Sequence, residues 1–170
     1  MKKKLEATYN HVRCFVMDSN VGYGKANNYG IKHATRDYIF ILNPDCSLPK
    51  NSLETMLEIL QDKDFAICAP RVESNPTQFG QNRFIEVEDV RGFAMLLNKK
   101  KFNGQFFDEN IFMYYDEDDL CKQIRQKNEK IFLLNVIVEH LGAQSFRTSK
   151  SNFVEYARNW HYLWSKFYFF

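Results

Sequence analysis

The chain of 170 residues has room for one packed domain and is short for two. With 45% hydrophobic residues it can bury a core, which excludes wholesale disorder. A net charge of +2 lacks the strong basic excess of a nucleic-acid binder, so nucleic acid is not an expected partner.

Lys2, Lys3 and Lys4 open the chain as a short basic run, read as a solvated helix end or as a weak contact with anionic lipid. Apolar runs of strand length follow at residues 12–17, 38–42, 65–69, 93–97 and 130–134. Between the first runs lie helical patterns. Residues 24–34 form one, and Leu53, Met56, Leu57 and Leu60 share a face of the next. The polar stretch 70–88, with Pro76 and Gly80, reads as a loop or irregular hairpin. A helix starting near Asp116 should turn Leu120 and Ile124 inward, and a last one over residues 152–167 should carry an aromatic stripe. Strands alternating with helices predict an α/β fold, with a mostly parallel central sheet flanked by helices. No internal repeat or linker divides it, so residues 1–150 read as one domain and 151–170 as an aromatic amphipathic helix. No apolar stretch approaches the ~20 residues that span a bilayer, so the chain reads as soluble or peripheral. Cys14, Cys46, Cys68 and Cys121 form no CxxC pair, and three sit in apolar runs. They read as reduced, buried thiols rather than a disulfide frame or zinc site.

Ligands of such sheets bind beyond the carboxyl ends of the strands, which directs attention to four polar segments. After residues 12–17 come Asp18, Asn20, Gly22 and Gly24, either a close-approach loop for a ligand or a plain strand-to-helix turn. After residues 38–42 come Asn43, Pro44 and Asp45. That Asp could hold Mg²⁺ or Mn²⁺ against a diphosphate, or simply make a turn. Asp116, Glu117, Asp118 and Asp119 crowd the start of a helix. One or two acids there would serve the macrodipole, whereas four repel one another and raise a pKa, which suits a base or a cation site. His140 is either structural or a ligand.

In order and spacing, the segments SNVGYGKANNYGIKHA, YIFILNPDCSL, APRV, GFAMLLNKKKF, FFDENIFMYYDEDDLC and VEHLGAQSF resemble glycosyltransferase family 2, in particular its rhamnosyltransferase-like bacterial members. The resemblance implies a Rossmann-like GT-A domain and inverting transfer of a sugar from a nucleoside-diphosphate donor, dTDP-rhamnose or a UDP-hexose. The implied acceptor is a hydroxyl of a cell-surface glycan or lipid-linked glycan. It further implies a Mg²⁺ or Mn²⁺ ion on Asp45 and His140, with an amide at Asn43 where the family's metal motif has its first acid. Asp116 and Glu117 match the acidic pair that supplies the base, in reversed order, so Glu117 takes the base position. Asn20, Gly22 and Asn43 match the donor side, and Gly92 and Asp108 the sugar and acceptor pocket. Such domains open with a strand and a VVDNxS-like loop; here the first βα unit, about 30–40 residues, is missing from the pattern. A non-catalytic truncated paralogue acting as a binding module is the alternative expectation. Aromatic residues with Arg158 and Lys166 near the C-terminal end suit a peripheral contact with the inner face of the cell membrane, in a cytoplasmic protein.

Overall fold

Two residues per strand period and 3.6 per helix turn sort this chain into three layers. The computed structural model describes residues 1–141, Trp160, 163–166 and Phe169. In chain order it has α1 (Lys2–Thr8), α2 (Tyr23–His33), β1 (Tyr38–Leu42), β2 (Cys46–Ser47), α3 (Ser52–Leu60), β3 (Ile67–Arg71) and β4 (Phe84–Glu86). These are followed by β5 (Ala94–Asn98), α4 (Asp116–Gln126), β6 (Ile131–Ile137) and β7 (Glu139–His140). Alternate residues of the central strands leave by opposite faces. Ile67, Met95, Leu97, Ile131 and Leu133 pack with Ile31 of α2 and with Leu120 and Ile124 of α4. Cys68, Leu96, Phe132 and Leu134 meet Met56, Ile59 and Leu60 of α3 on the other side. Helices therefore cover both faces, and Leu120 and Ile124 turn inward as their spacing requires.

The sheet runs in the order β1-β5-β3-β6-β4. Strands β1, β3 and β6 share a direction, as strand–helix alternation predicts. Among the described residues, direct parallel pairing occurs only between β3 and β6, because β5 enters antiparallel between β1 and β3, and β4 lies antiparallel on β6. No helix lies between β3, β4 and β5, and both β4 and β5 run opposite to β3. The register of β3 shifts between Pro70 and Arg71, where proline offers no N–H to the ladder.

Several expectations need correction. Residues 12–17 form no strand: no described strand pairs with them, although β1 stands at the edge of the sheet. The strand expected at 65–69 begins two residues later, at Ile67. Within the polar stretch 70–88, residues 84–86 add an edge strand to β6. Of the thiols, Cys68 and Cys121 are buried, whereas Cys14 and Cys46 are half-exposed; all four are free. Most of the helix expected over 152–167 lies outside the described residues, although 163–166 are helical. Buried Ser165 ties that segment to the domain, its Oγ accepting the N–H groups of Phe112 and Met113 at 3.2 Å each. Among the described residues, no helix is long and apolar enough to cross a membrane.

Candidate active site

After β1 the chain turns tightly: the Asn43 N–H donates to the Phe93 carbonyl at 2.8 Å and the Cys46 N–H to the Asn43 carbonyl at 3.1 Å. That turn delivers the two-residue ladder of β2 with β7, in which Cys46 faces His140. Asp45 Oδ2 then lies 3.4 Å from His140 Nε2. The imidazole stacks on the Phe93 ring at 4.5 Å, which holds its orientation. Ligand atoms of Asp45, Cys46 and His140 all fall within 4.8 Å of one another. Burial, then the adjacent Asp45 carboxylate, pushes the Cys46 thiol pKa up. Oxygen, nitrogen and sulfur donors converging from half-buried positions fit a divalent cation.

The four acids at the head of α4 have separate fates. Tyr114 and Tyr115 both take left-handed backbone, at φ 62° and 66°, and turn the chain sharply into the helix. Asp116, only 2% exposed, accepts the Gly24 N–H at 3.0 Å and so caps the start of α2. Burial, then the neighbouring Glu117 charge, raises the Asp116 pKa to about 7. Glu117 is half-buried beside Gly92, whose backbone N–H bonds to it, and burial pushes its carboxyl upward too. A Cβ on Gly92 would stand 3.3 Å from the Glu117 carboxyl carbon and 3.4 Å from the Tyr23 hydroxyl. That hydroxyl donates to the Gly92 carbonyl at 2.5 Å. Asp118 is raised by burial, and Asp119 accepts from Gln123 Nε2 at 2.6 Å.

Asp116 gives a pH prediction with a definite sign. A carboxyl raised to about 7 in the fold still holds its proton where the unfolded chain has lost it. Its contribution is therefore fully favourable below the unfolded value and is lost as pH rises from about 4 to 7. Asp116→Asn keeps an acceptor for Gly24 and removes the charge. Its melting temperature should match the parent's near pH 4 and exceed it at pH 8, with a difference of up to about 4 kcal/mol if Asp116 acted alone. A parent that gains stability between pH 4 and 7 relative to Asp116→Asn would contradict this.

Gly92 and Phe93 are consecutive, and they join the two half-sites. Gly92 braces Glu117, and Phe93 braces His140 and the turn carrying Asp45. The structure thus brings Asp45, His140, Gly92 and Glu117 into one neighbourhood. Asn43 belongs to the same turn through its backbone. Asn20 accepts the Gly22 N–H at 3.1 Å, shaping the loop before α2. Gly22 itself, at φ 87°, is packed against Phe112; a Cβ there would stand 2.5 Å from the Phe112 carbonyl oxygen. Asp108 turns its carboxylate to Asn110 and lines a cleft of about 860 Å³ with Lys25, Lys32 and Gln105, whose lining does not include Glu117; its backbone carbonyl would stand 3.5 Å from a Cβ on Gly24, the residue that Asp116 caps. Three contributors escaped the sequence. Tyr23 has no reading of its own in the sequence, Phe93 only a place in the run 93–97, and Cys46 is one more isolated thiol. The signal for Cys46 was its place directly after Asp45.

The model of the family described as "Glycosyl transferase family 2" matches residues 1–131, which include Asp45, Gly92 and Glu117 and stop before His140. The chain is also 25% identical over 146 residues to the low-salt glycan biosynthesis hexosyltransferase Agl10 of Haloferax volcanii. That match covers 69% of this chain and 48% of the relative, so the chain spans about half the length of the curated relative it matches.

Proposed function

This chain belongs to glycosyl transferase family 2, and on that footing we propose that it transfers a sugar, with inversion, from a nucleoside-diphosphate donor to an acceptor hydroxyl. The observation that carries the reading is the Gly92–Phe93 junction, which holds a carboxyl with raised pKa beside three side chains whose ligand atoms could hold a cation. Glu117 is the base. It takes the acceptor proton as the acceptor oxygen bonds to the anomeric carbon and the bond to the diphosphate breaks, the electron pair leaving with the diphosphate. A pKa raised toward neutrality suits that role. Asp45 and His140 would hold Mg²⁺ or Mn²⁺, whose charge offsets that building on the diphosphate. Asp116, buried and committed to Gly24, holds α4 against α2 and fixes where Glu117 stands. Asn20, Gly22 and Asn43 shape the donor side.

The hexosyltransferase relative supports a hexosyl donor such as a UDP-hexose, with dTDP-rhamnose the second candidate from the motif resemblance. Its glycan-biosynthesis name supports a glycan or lipid-linked acceptor. A thermal-shift panel of nucleotide sugars, with and without Mn²⁺, tests the reading. At about 100 times its Kd the true donor should stabilise the chain by about 2.7 kcal/mol, and only with metal. No stabilisation by any nucleotide sugar or nucleoside diphosphate would overturn it.

The acceptor's setting motivates one more prediction. Trp160, Leu163 and Trp164, at i, i+3 and i+4, are 58%, 59% and 46% exposed, and Lys166 follows. Exposed aromatic residues beside a positive charge suit the water–lipid interface. The intact chain should co-sediment with anionic vesicles, less so as salt rises. Serine at all three positions should release it while sparing the contacts of Ser165. Absence of vesicle binding by the intact chain would remove the membrane from the account.

A further inference from the structure

We infer that Cys46 is a third protein ligand of the cation site, and that its sulfur makes the site prefer thiophilic divalent ions, Zn²⁺ or Co²⁺, over Mg²⁺. This rests on the proposal that Asp45 and His140 hold a cation, and adds the ligand that decides which cation it is.

The backbone places the thiol. Cys46 and His140 are register partners of the β2–β7 ladder, and directly opposite residues have Cβ atoms about 4.5–5.5 Å apart on the same face. Asp45 precedes Cys46, and its carboxylate already stands 3.4 Å from His140 Nε2. Around one tetrahedral ion with bonds of about 2.0–2.3 Å, ligand atoms sit about 3.3–3.8 Å apart. The trio, all within 4.8 Å, needs only small side-chain rotations to close.

Little opposes that closure. The thiol's hydrogen bond goes to the Phe93 carbonyl at 3.5 Å, and an S–H is a weak donor. The surroundings are fixed instead: Phe93 stacks on the imidazole, and the Leu141 N–H bonds the Asp45 carbonyl at 3.0 Å. Such outer contacts orient metal ligands. Three protein ligands leave a coordination position open, as catalytic metal sites require, and a diphosphate oxygen of the donor fits there. Carboxylate and water alone suit Mg²⁺, whereas imidazole with thiolate suits Zn²⁺ and its neighbours.

Cobalt reports the thiolate directly. Titrating the intact chain with Co²⁺ should produce a thiolate-to-cobalt charge-transfer band in the near ultraviolet. Calorimetry should show Co²⁺ and Zn²⁺ binding at least tenfold more tightly than Mg²⁺. Cys46→Ser should lose the band and most of that preference while still binding Mg²⁺. In the unaltered chain, Zn²⁺ should protect Cys46 from iodoacetamide, read by peptide mass spectrometry, so the test does not depend on a variant that folds. If Co²⁺ binds without the band, losing affinity in Asp45→Asn but not in Cys46→Ser, Cys46 is no ligand and the Asp45–His140 site stands. If no divalent ion binds, both readings fall.

Discussion

Glu117→Gln should lower turnover by at least about 10²-fold, roughly 2.7 kcal/mol of barrier, while donor affinity stays within about twofold. The side chain keeps its length and its acceptor oxygen, so the bond from the Gly92 N–H survives and the packing against Tyr23 is unchanged. What disappears is the carboxylate that receives the acceptor proton. An effect on kcat with an unchanged donor Kd separates that loss from a structural one. The pH profile adds an independent readout: the acid limb of the parent should reflect a carboxyl titrating above the usual Glu range, as its burial requires, and that limb should vanish in the variant. Retained turnover would move the proton-accepting role to Asp119, since Asp116 is sealed beneath α2.

Asp45→Asn should abolish metal-dependent donor binding and leave the metal-free melting temperature nearly unchanged. The Asp45 carboxylate is half-buried and its near neighbour is the His140 imidazole at 3.4 Å, so the fold draws little from it. Its backbone carbonyl, which does support β7 through Leu141, is untouched by the substitution. The amide, however, supplies no charge to hold a divalent ion beside a diphosphate. The stabilisation of about 2.7 kcal/mol at 100 times the parent's Kd should therefore disappear. Equal metal-dependent binding by parent and variant would leave Asp45 as a turn residue and nothing more.

Asp45 and Glu117 could be singled out as candidates in the sequence for physical reasons. The first follows an apolar strand directly, and the second lies in a crowd of acids too dense for helix capping alone. Their neighbourhood was not legible. It depends on Gly92 and Phe93, whose pairing of two half-sites is a tertiary fact without periodicity. The β2–β7 ladder is two residues long, below the length at which alternation carries a signal, and so Cys46 could not be placed against His140. Residues 12–17 show the converse failure: hydrophobicity marks a run as able to pair but does not make it pair, even with β1 at the edge of the sheet. Asp108 matched a pocket position by motif; in the fold its carboxylate is bound to Asn110, an arrangement within one loop that motif spacing does not reveal. The helical faces of α3 and α4 were read well because their burial follows the 3.6-residue period alone.

The most direct measurement is paramagnetic mapping. An isotope-labelled chain would be titrated with trace Mn²⁺ in the presence of a UDP-sugar, following the loss of each amide signal, which falls off steeply with distance from the ion. Signals of Asp45, Cys46, Phe93 and His140 should vanish first and those of Gly92 and Glu117 next, while Lys32 and Gln105 in the large cleft keep theirs. Broadening centred on that cleft, with Asp45 and His140 unaffected, would contradict the account.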